Sequence, residues 1–366
     1  MNTLVPIQYY ALVYFNTVLL LSLIIFFQSF QSKIESKDNL NTKKVLGFLF
    51  LLFVVLHLGL RPINFRFGDM VIYNIEFQRY VYGAKFDSTK DVLFESFKYF
   101  CANFLNAPIF FFLCATLYVL PLYSVSKKLF KAYWFYAFFL LIASFSFWAY
   151  GTNGIRNGIV TSLFLYAITR NSAVLKWSIL IACIFIHKSI IIPIVIYLFV
   201  KRFNYTKMYF YFWFLAIPLS LALGSFWEKF FLGLGFGEEK LEGYLGGIDQ
   251  ASEGVTLVVG FRWDFLLYSA LGLYAIWFYI FKRKFNDVFY TTICNIYIIA
   301  NGFWILVIRA SYSNRFAYMS WFLLALIVVY PLLKAKLFKN QHRIVGYITL
   351  LYFAFTYILN VILAKV

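Results

Sequence analysis
The chain has 366 residues, 63% of them hydrophobic and 13% charged, with a mean hydropathy of +0.78 and a formal net charge of +18. A soluble protein of this size does not reach such values, so the composition excludes a soluble enzyme and predicts an all-α polytopic membrane protein, one transmembrane domain over 1–366. The positive charge follows topology rather than a nucleic-acid partner.

A window of ~19 residues predicts about twelve transmembrane helices, at 8–30, 45–60, 107–125, 132–150, 155–170, 175–187, 189–201, 208–226, 263–281, 288–308, 316–333 and 344–364. The first of these has no basic segment before it and lysines after it, and it reads as a true helix rather than a signal peptide. The connecting loops alternate in character. Lysine-rich loops fall at 31–44, 126–131, 170–176, 201–207, 282–287 and 334–343, with only Glu35, Asp38 and Asp287 as acids. That set is expected in the cytoplasm, which places both termini outside. Arg61, Arg66, Arg79, Arg156, Arg262, Arg309 and Arg315 then fall on the outer side, against the positive-inside tendency. Guanidinium grips phosphate or carboxylate with two parallel hydrogen bonds, so these residues point to an anionic substrate there.

Two outer loops are long. The first, 61–106, opens RPINFRFGDMVIYN and ends in the amphipathic helix DVLFESFKYFCANFLN. If 69–80 is helical, Asp69, Tyr73 and Glu76 share one face at i, i+4 and i+7. Asp69 then reads either as a general base toward a sugar hydroxyl or as the N-cap of that helix. Next in order, Asn153-Gly154-Ile155-Arg156-Asn157 separates two apolar spans. A lone arginine there faces a polar cavity or snorkels to lipid phosphate; Asn153 and Asn157 add hydrogen-bonding capacity beside it. His187-Lys188-Ser189 forms a short polar break that predicts a tight outer turn, with His187 a base, a donor to a phosphate or sugar oxygen, or a structural turn residue. The second long loop, 227–262, is glycine-rich and reads as a lid or a loose connector. Arg309 and Arg315 bracket SYSN as an anion clamp or as lipid contacts, with Arg66, Arg262 and Lys188 as further candidates for the same anion. Aromatics of the long loops, such as Tyr73 and Tyr244, suit either stacking on sugar faces or anchoring at the interface.

Cys114, Cys183 and Cys294 lie in apolar runs without metal-like spacing, and His57 sits inside a span. No metal site and no cofactor is expected. DxD-type acidic pairs, Walker and GxGxxG loops, HExxH and GxSxG are absent from the sequence. The spans are almost devoid of acids, which argues against ion-coupled transport.

Over roughly 45–335 these motifs, in their order, resemble the EpsG-like family of Wzy-type polysaccharide polymerases. The resemblance rests on Gly68, Asp69 and Tyr73 after the second span and on the FESFKYF helix. It continues through Asn153 with Arg156 opening a helix, the FIHKS turn, and Arg315-Phe316-Ala317-Tyr318 opening a late span. Gly154 and Asn157 stand where the family often has glutamine.

The resemblance implies a GT-C-like integral-membrane bundle in the bacterial cytoplasmic (inner) membrane, with its active site facing outward. Its substrate would be an undecaprenyl-diphosphate-linked oligosaccharide, serving as both donor and acceptor, and its working partners a flippase and a chain-length regulator. Arg156, Arg309 and Arg315, assisted by Lys188 and Arg66, would hold the diphosphate. Asp69, then His187, would take the acceptor proton, and Tyr73, Glu76, Asn153, Asn157 and Tyr244 would meet the glycan. An O-antigen ligase-like single transfer, a lipid-linked oligosaccharide flippase or exporter, and a membrane acyltransferase are the competing readings.

Overall fold
A computed structural model describes residues 5–87, 89, 91–233, 260–309 and 314–363. Eight helices among the described residues are long and apolar enough to cross a membrane, and they coincide with eight of the twelve expected spans. The other four segments are shorter. The stretch 132–150 breaks into Trp134–Ile142 and Phe145–Thr152, because Ser144 is extended and its hydroxyl bonds back to the Leu141 carbonyl. The remaining three, Ile155–Ile168, Ala173–Ile186 and Ile191–Arg202, are helices of 14, 14 and 12 residues. At 1.5 Å rise per residue, each is shorter than the hydrocarbon thickness.

The chain divides into two compact units, 1–191 with 329–366, and 192–328. In the first unit, α1 (Ile7–Gln31) and α2 (Lys37–Gly59) run antiparallel: Tyr10 stacks on His57 at 4.2 Å, and Gln28 accepts from buried Lys43. The expected first outer loop folds as α3 (Met70–Val81) and α4 (Val92–Phe104). Phe77 and Phe94 pack on Phe110 near the start of α5 (Ala107–Phe130), which anchors both helices to that end of the unit. Lys131, in the left-handed region at φ 48°, then turns the chain, and α6 (Trp134–Ile142) returns along α5 with Trp134 and Phe138 against Tyr123. The helices α7 (Phe145–Thr152), α8 (Ile155–Ile168) and α9 (Ala173–Ile186) follow.

Within this unit the loops sort into two ends. Lys128 bonds Asn171 at 3.0 Å, while Lys33, Tyr133, Lys334, Lys336 and Lys339 line one common cavity. The polar breaks at 60–69, 91, 153–156 and 187–189 gather at the opposite end of the same helices.

The second unit holds most of α10 (Ile191–Arg202), then α11 (Thr206–Gly233), which is kinked at Leu223, and α12 (Trp263–Ile276), α13 (Val288–Leu306) and α14 (Asn314–Trp321). Its core polar group is Asn301. It accepts from the Trp213 indole at 2.7 Å and donates to the Ser269 and Ser320 hydroxyls at 3.0 Å each, so a fully buried amide is satisfied. Helix α15 (Leu324–Lys334) and α16 (Gln341–Tyr357) complete the chain, and α16 packs along α1.

Candidate functional site
The polar end of the first unit is assembled by backbone turns that its sequence dictates. After a single 3-10 turn at Phe65–Phe67, Gly68 adopts φ 63°. A Cβ there would collide with the Asn153 carboxamide. The glycine thus lets Asn153 Oδ1 accept the Asp69 N–H at 2.8 Å, which ties the start of α3 to the α7–α8 break. Asp69 does occupy the N-cap position, but its half-buried carboxylate makes no cap hydrogen bond.

Asp91 is the centre of the arrangement, and the motif reading missed it. It sits at φ 44°, ψ 49° immediately before α4, a left-handed conformation that aspartate tolerates better than most side chains. Its buried Oδ2 accepts from Arg156 Nη1 and lies 2.9 Å from His187 Nδ1. The backbone N–H of Lys188 also donates to this carboxylate. Burial pushes the Asp91 carboxyl up, but the hydrogen bond and charge of His187, the Arg156 guanidinium and the Lys188 amide outweigh it and hold the group below the usual carboxylate range. Asp91 is an acid at the head of an amphipathic helix, and its partners are 65 and 96 positions away. Its one legible signal was that placement, which by itself reads as a solvated cap.

Arg156 lies in the first turn of α8, as the Asn-x2-Arg spacing predicted. Its Nε donates to the Tyr73 hydroxyl at 3.1 Å, and its guanidinium lies over the Tyr73 ring. His187 closes α9, and 188–190 make the expected tight turn. There Ser189 donates to Asn157 Oδ1 at 2.6 Å, so Asn157 braces the turn that carries His187. Lys188 is exposed beside it. Asp69, Tyr73, Asn153, Arg156, Asn157, His187 and Lys188 therefore share one end of the first unit.

Other expected residues lie elsewhere. Glu76 pairs with Lys98, whose buried ammonium also reaches Glu95 at 2.7 Å, and Tyr80 donates to Glu95 at 2.9 Å. This is a clamp between α3 and α4. Arg66 is exposed on its 3-10 turn. Arg61 is buried and donates to the carbonyls of Leu58 and Thr152, where it fits the negative C-terminal ends of α2 and α7. Arg262 forms a two-pronged pair with Asp264. In the second unit, Arg309 is exposed with its stem against Gly224, and Arg315 lies in the first turn of α14. Tyr244 and most of the second long loop lie outside the described residues. Among the described residues no group of three or more His, Cys, Asp or Glu side chains is gathered as a metal site; Asp91 and His187 are a pair.

The Asp91–Arg156–His187 cluster offers fixed N–H donors and an imidazole oriented by its Nδ1 contact with Asp91. In the neutral ring, with its proton on Nδ1 directed at Asp91, Nε2 would carry the lone pair. Such a group can take a proton from a hydroxyl while guanidinium and ammonium donors receive developing anionic charge. Residues 44–366 match the model of the EpsG family. No curated protein and no solved structure matches the chain.

Proposed function
Because the chain belongs to the EpsG family, a Wzy-like polysaccharide polymerase family, we propose that it joins undecaprenyl-diphosphate-linked repeat units on the outer face of the bacterial cytoplasmic membrane. The bond from the donor's anomeric carbon to the diphosphate oxygen breaks, and its electron pair leaves with the diphosphate. A bond from that carbon to the acceptor hydroxyl oxygen forms, and the hydroxyl proton passes to His187. Asp69 is the second candidate for that proton. The observation that supports this reading is the meeting of Arg156 and His187 on one carboxylate, Asp91.

Arg156 is already charge-paired, so its contribution is fixed donor geometry rather than a full uncompensated charge. Lys188 supplies further positive charge. Diphosphate is a good leaving group, and arginine can stabilise it without a metal ion. A flippase would deliver the substrate, and a chain-length regulator would work alongside.

The test is reconstitution of purified protein with its lipid-linked repeat unit in EDTA, with products resolved on a gel. A ladder of regular spacing is expected, and Arg156→Ala should slow its formation about 10²–10³-fold, the cost of one preorganised transition-state donor. A single shifted product would instead indicate a ligase-like transfer. Absence of product from folded protein and authentic substrate would favour the flippase reading.

A further inference from the structure
The opposite, lysine-bearing end of the first unit contains a cavity of about 300 Å³. That size is at the lower end for small-ligand sites. Three separate turns build it: the α1–α2 connection, the turn between α5 and α6, and the α15–α16 loop. Lys33, Lys334, Lys336, Lys339 and His342 line it, against one carboxylate, Glu35.

A lysine-rich loop is expected at this end for topological reasons alone. Topology does not require lysines from distant parts of the chain to converge on one concave surface, where they repel one another. Nor does it require the loop carrying them to be fixed. Gln341 fixes it: its Nε2 donates to the carbonyls of Leu332, at 2.5 Å, and Ala335, at 2.9 Å. Its Oε1 accepts the N–H groups of Leu337 and Phe338. One amide thus holds Lys336 and Lys339 at the cavity rim with four hydrogen bonds. Tyr133, from the turn between α5 and α6, contributes a wall with a hydroxyl group.

We propose that this cavity binds a phosphate-bearing anion, drawn either from the headgroup of an anionic phospholipid or from a soluble phosphate compound. Clustered lysines at a membrane surface attract such groups, and the attraction is screened by salt. The site is separate from the Asp91–Arg156–His187 cluster, and the proposal stands whether or not that cluster polymerises sugars.

The experiment places the full chain in phosphatidylcholine nanodiscs. In one arm phosphatidylglycerol is included and retained lipid is counted by native mass spectrometry. In the other, binding of labelled inorganic phosphate is measured. Two variants remove equal charge from the same end of the unit: K336Q/K339Q at the cavity, and K127Q/K128Q, whose lysines do not line it. About tenfold weaker binding in K336Q/K339Q, with K127Q/K128Q near wild type, is expected. Loss of phosphatidylglycerol retention identifies a lipid headgroup, and loss of phosphate binding alone identifies a soluble ligand. Equal losses in the two variants, or no preference for either anion over phosphatidylcholine alone, would overturn the proposal. If K336Q/K339Q does not fold, Lys33→Gln on the other wall is subject to the same comparison.

Discussion

At the scale of single residues, Asp91 decides how the site can work. One carboxylate oxygen takes both Arg156 and His187, so Asp91 holds the two side chains at one point. Its pKa is held below the ordinary carboxyl value of about 3.9. The stabilisation this provides is complete above that value and disappears as the pH falls through the lower, folded-state value. Thermal unfolding of wild type in detergent should therefore show an added loss of stability below about pH 4 that Asp91→Asn lacks. Parallel pH profiles for the two proteins would mean that the carboxylate is not paired as described. Above that range Asp91→Asn should be less stable than wild type, and it should polymerise poorly because it no longer holds the His187 imidazole through a carboxylate. The Asn-x2-Arg and FIHKS motifs placed Arg156 and His187 correctly in their helix start and helix end. What joins them could not be read from spacing, because Asp91 belongs to a segment whose apolar periodicity announces only a helix.

At the scale of elements, two contacts set the position of α3. One is the Gly68–Asn153 approach, where a left-handed glycine leaves room for the carboxamide that holds Asp69 N–H. Gly68→Ala should cost about 1–3 kcal/mol, part from backbone strain and part from displacing Asn153. Asn153→Ala removes the obstacle, so the double variant should lose less stability than the sum of the single ones, as contacting residues do. Strict additivity in denaturation would show that the two do not touch. The second contact is Lys98, buried between Glu76 and Glu95. Lys98→Met leaves two carboxylates without their cation and should destabilise the α3–α4 pair by about 3–5 kcal/mol. Glu76→Gln should cost much less, because Glu76 is 41% exposed. Limited proteolysis of the 61–106 segment would rank the two.

The long apolar segments were legible, because eight runs are long and apolar enough to cross a membrane. Segments such as 132–150 were not, because a hydropathy window averages across a two-residue break like Ala143-Ser144. The first long loop was read with one amphipathic helix and, conditionally, a helix over 69–80; both form, as α4 and α3. Phe77 and Phe94 of these helices are spent on Phe110 rather than on solvent.

At the scale of the molecule, function depends on which end of the first unit faces outward. The lysine-rich turns converge at one end and the Asp91–Arg156–His187 cluster at the other, so a single orientation fixes both. The positive-inside tendency then predicts that the lysine end is cytoplasmic. All four native cysteines, Cys101, Cys114, Cys183 and Cys294, are buried, so single introduced cysteines can report with little background. Tyr82 lies at the end of α3 and is 85% exposed, while Ser36 sits in the α1–α2 turn. In intact cells a membrane-impermeant maleimide should label Tyr82→Cys and leave Ser36→Cys unmodified until the membrane is opened. Neither residue belongs to the candidate site, so protein level and polysaccharide length should stay near wild type and certify that the labelled chain is native. The reverse labelling pattern would put Arg156 and His187 in the cytosol. Polymerisation on the outer face would then be excluded, whatever the chemistry of the cluster, and the arginines would need a cytoplasmic anion as their target.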